Sequence, residues 1–192
     1  MIRSKNIMII TLAVIFLAAC KKDVDPVFVI PDSNGAQLQL NGIAGTEAGS
    51  VAGNAVYIDL SGDRHTPVLR AGWDLGFYSG TDFRVIINNY AVAGATVLSK
   101  NNLNDVTAVD TIGLSLTTSQ FNPLPEQLAF FDDINGDLTK TVIPAVSAID
   151  TENKVIILNR GTGGSIAARP WIKLRVLRNS NGGYSMQYAG IQ

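Results

Sequence analysis

The sequence predicts an all-β domain of antiparallel sheets with little helix, over residues 55–192. From about residue 55 onward, apolar and polar residues alternate with the period of two that is typical of half-buried strands. Short runs rich in Asn, Gly and Ser separate the alternating stretches and favour turns. Helix is expected for only a turn or two near 125–131, where Pro125 suits a first helical position.

The first nineteen residues predict a lipoprotein signal peptide that is cleaved from the mature chain. Arg3 and Lys5 precede an apolar run over 7–17, which is shorter than the roughly 20 residues needed to span a membrane. The following Leu-Ala-Ala-Cys sequence at 17–20 resembles the bacterial lipobox. Cys20 is therefore the predicted lipid-attachment site, and the acyl chains would hold the protein on a membrane.

Residues 20–54 are predicted to form the lipidated N-terminus and a tether, because they are rich in Asp, Gly, Ala, Asn and Pro. An Asp directly after the cysteine would resemble an inner-membrane retention signal, and this chain has Lys21 there. We expect a lipid anchor in the outer membrane, on its periplasmic or surface-exposed face. The charged run at 21–23 fits either a surface-export signal or a solvated tether.

The strands begin with the alternation of 56–60 and continue with a hairpin. Trp73, Leu75 and Phe77 share one strand face, residues 79–82 form a turn, and 83–87 returns. We expect Trp73 to be buried on the inner face of this hairpin. Later strands are predicted at 95–98, 142–149 with a break at Pro144, 154–159, 171–178 and 184–190. The last two form a second hairpin around the Asn-Gly turn at 179–183.

Composition excludes several classes of function. Without Arg3 and Lys5, the mature chain keeps 13 basic residues against 16 acidic ones, so its charge is near −3 and a nucleic-acid partner is not expected. Cys20 is the only cysteine, so no disulfide can form within the chain. The chain has one histidine and no recognisable catalytic cluster, so we do not expect an enzyme.

Two polar runs invite a ligand but have simpler explanations. The acidic run at 132–137 lacks ligating residues at the first and last positions of an EF-hand loop. It predicts an Asn-Gly turn, with a different kind of cation site as the alternative, and we assign no metal site. The Gly-Thr-Gly-Gly run at 161–164 does not lead into a helix, so a flexible loop is expected in place of a phosphate cradle.

Two side chains offer chemistry to a haem iron. His65 lies between two predicted strands, and is expected to be either an exposed loop residue or a ligand contact. Met186 shares a strand face with Tyr184 and Tyr188, where it either fills an aromatic core or offers a thioether to iron. Tyr90, Tyr184 or Tyr188 could supply a phenolate oxygen instead.

The sequence resembles the HmuY family of haem-binding lipoproteins in three stretches. These are Tyr-Ile-Asp-Leu-Ser-Gly at 57–62, Gly-Trp-Asp-Leu-Gly-Phe at 72–77, and the strand at 83–89. The resemblance covers most of 54–190 and implies a hand-like all-β fold. It also implies that haem is held between projecting strands and passed to an outer-membrane haem transporter, in the service of iron acquisition. Further strands would be expected beyond Tyr188, so a truncated member is possible.

Two functions are consistent with the sequence. In the first, the chain is a haemophore-like lipoprotein with His65 and Met186 as candidate axial ligands. In the second, it is a surface adhesion or scaffold lipoprotein of the same fold that binds no haem. A pocket lined by His65, Met186 or tyrosines would favour the first function, and a closed core would favour the second.

Overall fold

A computed structural model describes residues 37–38, 40, 53–119 and 122–192. The predicted signal peptide at 1–19, the lipid-attachment residue Cys20 and most of the tether at 20–54 lie outside the described residues. The chain divides into two compact units, Met1–Gln39 with Asp59–Arg64, and Leu40–Ile58 with His65–Gln192. Within the described part of the chain, no helix is both long and apolar enough to span a membrane.

The prediction of an all-β fold with antiparallel sheets and little helix is confirmed for the described residues. Their strands are β1 (Asn54–Asp59), β2 (Arg64–Leu69), β3 (Leu75–Phe77), β4 (Val85–Ile87), β5 (Gly94–Val97), β6 (Ile156–Asn159), β7 (Ile172–Arg178) and β8 (Tyr184–Gly190). Their helices are short 3₁₀ turns at Leu103–Asp105, Ala108–Thr111, Pro125–Phe130, Leu138–Lys140, Asp150–Glu152 and Gly163–Ser165.

The smaller unit is described only at 37–38 and at the turn that joins β1 to β2. The Asp59 carboxylate accepts hydrogen bonds from the backbone N–H groups of Ser61 and Gly62 and pairs with the Arg64 guanidinium at 2.7 Å. The Arg64 hydrogen bond, followed by the Gly62 N–H, lowers the pKa of Asp59. The turn is thus closed by a local, solvent-exposed ion pair.

The predicted hairpin around residues 79–82 is present, but only part of its predicted inner face is buried. β3 pairs antiparallel with β4, with Phe77 opposite Val85. Val85 and Ile87 of β4 are fully buried, whereas Trp73 is 38% exposed and Phe77 is 43% exposed. The prediction that Trp73 is buried is wrong, because β3 is only three residues long and begins after Trp73.

The largest sheet has the strand order β5-β6-β7-β8 and is antiparallel throughout. All four residues of β6 are buried, because both faces of this strand are covered. One face carries the larger core cluster, in which β6 contributes Ile156 and Leu158. The other face carries a smaller cluster that includes Ile157. The predicted strands at 95–98, 154–159, 171–178 and 184–190 match this sheet closely.

The strand predicted at 142–149 does not form. Ile143 and Val146 are both buried in the larger core cluster, but they are three residues apart and their segment is irregular. Pro144 lies between them and cannot donate a hydrogen bond to a neighbouring strand. The segment is instead held by single bonds, such as that from the Val146 N–H to the Phe83 carbonyl.

Candidate ligand-binding cleft

The larger unit contains a cleft of about 430 Å³ whose surface is mostly apolar. Its aromatic lining residues are Tyr57, Trp73 and Tyr90, and its other apolar ones are Ala55, Val68, Ile86, Ile87 and Leu138. Its polar lining residues are Arg70, Asn88, Asn89, Asp132, Asp133, Asp137 and Thr141. A volume of this size suits a small organic ligand, and a mostly apolar lining with a few polar groups is usual for such sites.

Asn88 is the buried residue that joins the segments of the cleft wall. Its side-chain amide donates hydrogen bonds to the carbonyl oxygens of Arg70, at 2.9 Å, and of Trp73, at 2.7 Å. Its side-chain oxygen accepts a hydrogen bond from the Ala91 N–H at 3.1 Å. The side chain is inaccessible to solvent, so each of these bonds replaces one that water cannot supply. Asn88 therefore fixes the backbone that carries Arg70, Trp73 and Tyr90.

Among the described residues that line the cleft, Arg70 is the only basic one. Its guanidinium carbon lies 3.9 Å from the centroid of the Tyr90 ring, which is within the range of a cation–π contact. Arg70 and Tyr90 are both half-buried. The stacked pair therefore forms part of the cleft wall.

Three carboxylates, those of Asp132, Asp133 and Asp137, add negative charge to the lining. Asp132 is buried, and it accepts hydrogen bonds from the backbone N–H groups of Ile87 and Val142, each at 2.8 Å. Burial raises the pKa of Asp132, although both hydrogen bonds oppose the shift. Asp137 differs, because hydrogen bonds from Thr139 and Lys140 lower its pKa to about 2.

The acidic run at 132–137 forms the predicted Asn-Gly turn. The Asp133 side chain accepts hydrogen bonds from the backbone N–H groups of Asn135 and Asp137, and Gly136 has a φ of 79°. These local bonds account for the Asp133 carboxylate. Among the residues that the structure describes, no three His, Cys, Asp or Glu side chains are grouped so as to hold a metal ion.

Asp74 explains why a carboxylate follows Trp73 in the sequence. One of its oxygens accepts hydrogen bonds from Arg160, at 3.0 Å from Nε and 2.8 Å from Nη2. The other oxygen lies 3.0 Å from Nη1 of Arg169. Arg169 in turn donates to the Arg160 carbonyl at 2.6 Å. Asp74, which follows the cleft residue Trp73, thus forms ion pairs with the loop that follows β6.

That loop contains the Gly-Thr-Gly-Gly run at 161–164, and it packs closely on the turn at 90–92. The Gly163 N–H donates to the Ala91 carbonyl at 2.7 Å. Gly161 has a φ of 71°, and a Cβ there would lie 1.9 Å from the same carbonyl oxygen. The run is a loop, as predicted, but its glycines are required by this close approach as well as by positive φ.

Neither of the two predicted iron ligands, His65 and Met186, is among the residues that line the cleft, and the two do not share a pocket. His65 lies on β2 and is half-buried, so the prediction of an exposed loop residue is wrong. The cleft is lined from β2 and its end by Val68 and Arg70, and strand alternation directs His65 to the other face. Met186 is 41% exposed on β8, in a shallow groove with Leu103.

The tyrosines considered as iron donors differ in their availability. The Tyr184 hydroxyl is engaged, since it donates to the carbonyls of Tyr78 and Arg84 at 2.8 and 3.1 Å. Tyr188 is 66% exposed and lies in the groove with Met186, so the expected aromatic core around Met186 does not form.

Within the cleft itself, the tyrosines are Tyr90 and Tyr57. Tyr57 was not expected as a donor, although it stands in the first stretch of the resemblance, at 57–62.

Comparison of this chain with protein-family models, with curated proteins and with solved structures finds no significant match.

Proposed function

We propose that this chain is a lipid-anchored haem-binding protein of haem and iron acquisition, which delivers haem to an outer-membrane transporter. The observation that carries the proposal is the apolar cleft with Trp73, Tyr57 and Tyr90 in its lining. Flat aromatic side chains suit a flat, largely apolar macrocycle, because stacked rings exclude water from both partners. The resemblance in 57–62, 72–77 and 83–89 supplies the ligand class.

The residues of the cleft match the separate chemical parts of haem. The apolar ring would lie against Trp73 and the aliphatic lining. Tyr57 is 66% exposed at the cleft, and a tyrosine oxygen is one of the donors that proteins offer to haem iron. Haem in this cleft would therefore take its donor from Tyr57 in preference to His65 or Met186.

The anchor is part of the same proposal. Acylation of Cys20 would hold the protein at the outer membrane, and the segment at 20–54 would let the β domain stand away from the lipid surface. A haem carrier on either face of that membrane could then meet a transporter by diffusion in two dimensions.

Titration of the purified full chain with haemin, in detergent micelles, tests the proposal. We expect a shifted Soret band that saturates at one haem per chain. In the variants Tyr57→Phe and Trp73→Ala the shift should weaken or change in position. In the matched variants His65→Ala and Met186→Ala, which alter residues outside the cleft lining, it should persist. A spectrum equal to that of free haemin at every ratio would reject the haem-binding function.

A second candidate is a surface adhesion or scaffold lipoprotein of the same fold that binds no haem. Two observations favour it. Among the described lining residues, three carboxylates outnumber one guanidinium, which opposes an anionic ligand. The first two strands also expose apolar side chains, with Ile58 at 46% and Leu69 at 51%. This candidate predicts no Soret shift, together with binding to a protein partner that Leu69→Asp abolishes.

A further inference from the structure

We infer that two copies of this chain associate through β8, which pairs antiparallel with β8 of the second copy about a two-fold axis at Gln187. The pairing would join the four-stranded sheets of the two copies into one continuous sheet. It uses a surface that the proposed function leaves unused, and it does not depend on haem binding.

β8 is an edge strand that has none of the features that usually protect such an edge. It is the last strand in the order β5-β6-β7-β8, and its seven residues include no charged residue and no proline. Its register with β7 is one-to-one along its whole length, so it has no bulge. At the other edge, β5 has only four residues and none of them is exposed. A long, uncharged edge strand is a template for pairing with another chain.

The hairpin turn shows which backbone groups of β8 face away from β7. The Asn179 N–H donates to the Gly183 carbonyl at 2.9 Å, so these two residues form a hydrogen-bonded pair across the hairpin. Hydrogen-bonded and non-hydrogen-bonded pairs alternate along an antiparallel ladder, so Met186 and Tyr188 occupy non-hydrogen-bonded positions. Their N–H and C=O groups therefore point outward, and none of the described backbone groups bonds to them.

A groove beside β8 leaves room for a second strand. It has a volume of about 490 Å³ and is lined by residues 102–104 and 186–188. Side chains of successive strand residues point to opposite faces of a sheet, so a groove lined by all three of 186–188 runs along the edge of β8. The side chains at this edge are accessible, with Met186 41% exposed and Tyr188 66% exposed.

Charge and register both favour a second copy of β8 as the occupant. Because β8 carries no charge, it cannot select a charged partner strand, and two copies bring no like charges together. Pairing of all seven residues with a second β8 places the two-fold axis at Gln187. Met186 then lies opposite Tyr188 of the second copy, and the outward backbone groups of the two residues meet as a hydrogen-bonded pair. The two side chains share a face, where a thioether packs well against an aromatic ring.

Cross-linking through position 187 tests the association and its register together. In the proposed dimer the two copies of Gln187 form a non-hydrogen-bonded pair, with Cα atoms about 4.5 Å apart, within the range of a disulfide. Ser185 would lie opposite Ala189, so the two copies of Ser185 are four residues apart, or roughly 13 Å. Oxidation of the full chain in excess detergent micelles should link Gln187→Cys into dimers. Ser185→Cys should give none, nor should the parent, whose only cysteine is Cys20.

Charge variants of the same residue separate specific pairing from general aggregation. Gln187 is exposed, so Gln187→Lys and Gln187→Glu should both fold. Each variant places like charges at the two-fold axis, and we expect each to dimerise roughly tenfold more weakly than the parent in sedimentation velocity. An equimolar mixture of the two should dimerise as well as the parent, because opposite charges then meet. Asn181→Lys adds the same charge in the exposed turn beyond the paired strands, and should not change dimerisation.

Three results would overturn the inference. The first is a parent chain that stays monomeric at every concentration, without cross-linking of Gln187→Cys. The second is equal cross-linking at positions 185 and 187, which would indicate non-specific contact of the strand edges. The third is a dimer that neither Gln187→Lys nor Gln187→Glu weakens, which would place the interface elsewhere on the molecule.

Discussion

Replacement of Asn88 by alanine should destabilise the protein, because it removes the hydrogen bonds that join the segments of the cleft wall. The side chain is fully buried and makes three hydrogen bonds, to the Arg70 and Trp73 carbonyls and from the Ala91 N–H. Alanine leaves these three backbone groups without the partner that Asn88 supplied, in a region that water does not reach. A buried hydrogen bond contributes about 1 kcal/mol net, so the expected loss is about 3 kcal/mol.

A loss of this size is a large part of the 5–15 kcal/mol that is typical of a domain's total stability. Urea denaturation followed by tryptophan fluorescence measures it directly. With a denaturant dependence of about 2 kcal/mol per molar urea, the midpoint should fall by about 1.5 M. Asn88→Asp keeps the acceptor oxygen but loses the donor and adds a buried charge, so it should also lower the midpoint.

The neighbouring residue provides the control for this measurement. Asn89 is exposed, and Asn89→Ala should change the midpoint by no more than about 0.3 M, as expected of a surface substitution. If Asn88→Ala cost less than about 0.5 kcal/mol, the three hydrogen bonds would not be holding the cleft wall together, and our account of its rigidity would be wrong.

Four further predictions concern other residues. Trp73→Ala should cost about 1–2 kcal/mol by urea denaturation, below the 3–5 kcal/mol of a fully buried aromatic, because Trp73 is 38% exposed; a larger loss would mean that it belongs to the core. Gly161→Ala should lower the thermal midpoint well beyond Gly182→Ala, since both have positive φ but only Gly161 faces a carbonyl at 1.9 Å; equal effects would show that strain alone matters. The raised pKa of Asp132 means that the native state binds its proton more tightly than the unfolded chain, whose value is near 3.8. The free energy of unfolding should therefore fall as pH rises above 3.8. Asp132→Asn should remove this part of the pH dependence. If the variant kept the same slope of unfolding free energy against pH, the buried carboxyl would not be its source. Cys20→Ser should abolish labelling by radioactive palmitate, and label that persists would contradict the lipoprotein prediction.

The sequence predicts the strands well where apolar and polar residues alternate without interruption between clear turn residues. β7 and β8 follow their predicted bounds closely because alternation and an Asn-Gly turn at 179–183 agree. The segment at 142–149 fails because its apolar residues fill the core from an irregular backbone, which a period-two pattern cannot distinguish from a strand. Trp73 fails for a related reason, since aromatic residues line clefts as readily as they fill cores.

The cleft could not be predicted from local patterns, because its residues are brought together by tertiary contacts. Nothing near Asn88 in the sequence distinguishes it from the exposed Asn89 beside it. The glycines at 161–164 looked like a flexible loop because their partner, the turn at 90–92, lies about seventy residues earlier. Residue type points to His65 and Met186 as iron donors, but type alone carries no information on which face of a sheet a side chain occupies.

The contacts near the cleft differ in the length of chain that must close to form them. The Asn88 hydrogen bonds span 3 to 18 residues, whereas the Asp74 to Arg160 ion pair spans 86. Longer loops cost more entropy to close, so the turn at 88–91 can form early and the contact with Arg160 must wait for the large sheet. The same difference governs opening of the native state. The loop at 161–164 can detach in a partial unfolding event while the hydrogen bonds of Asn88 survive.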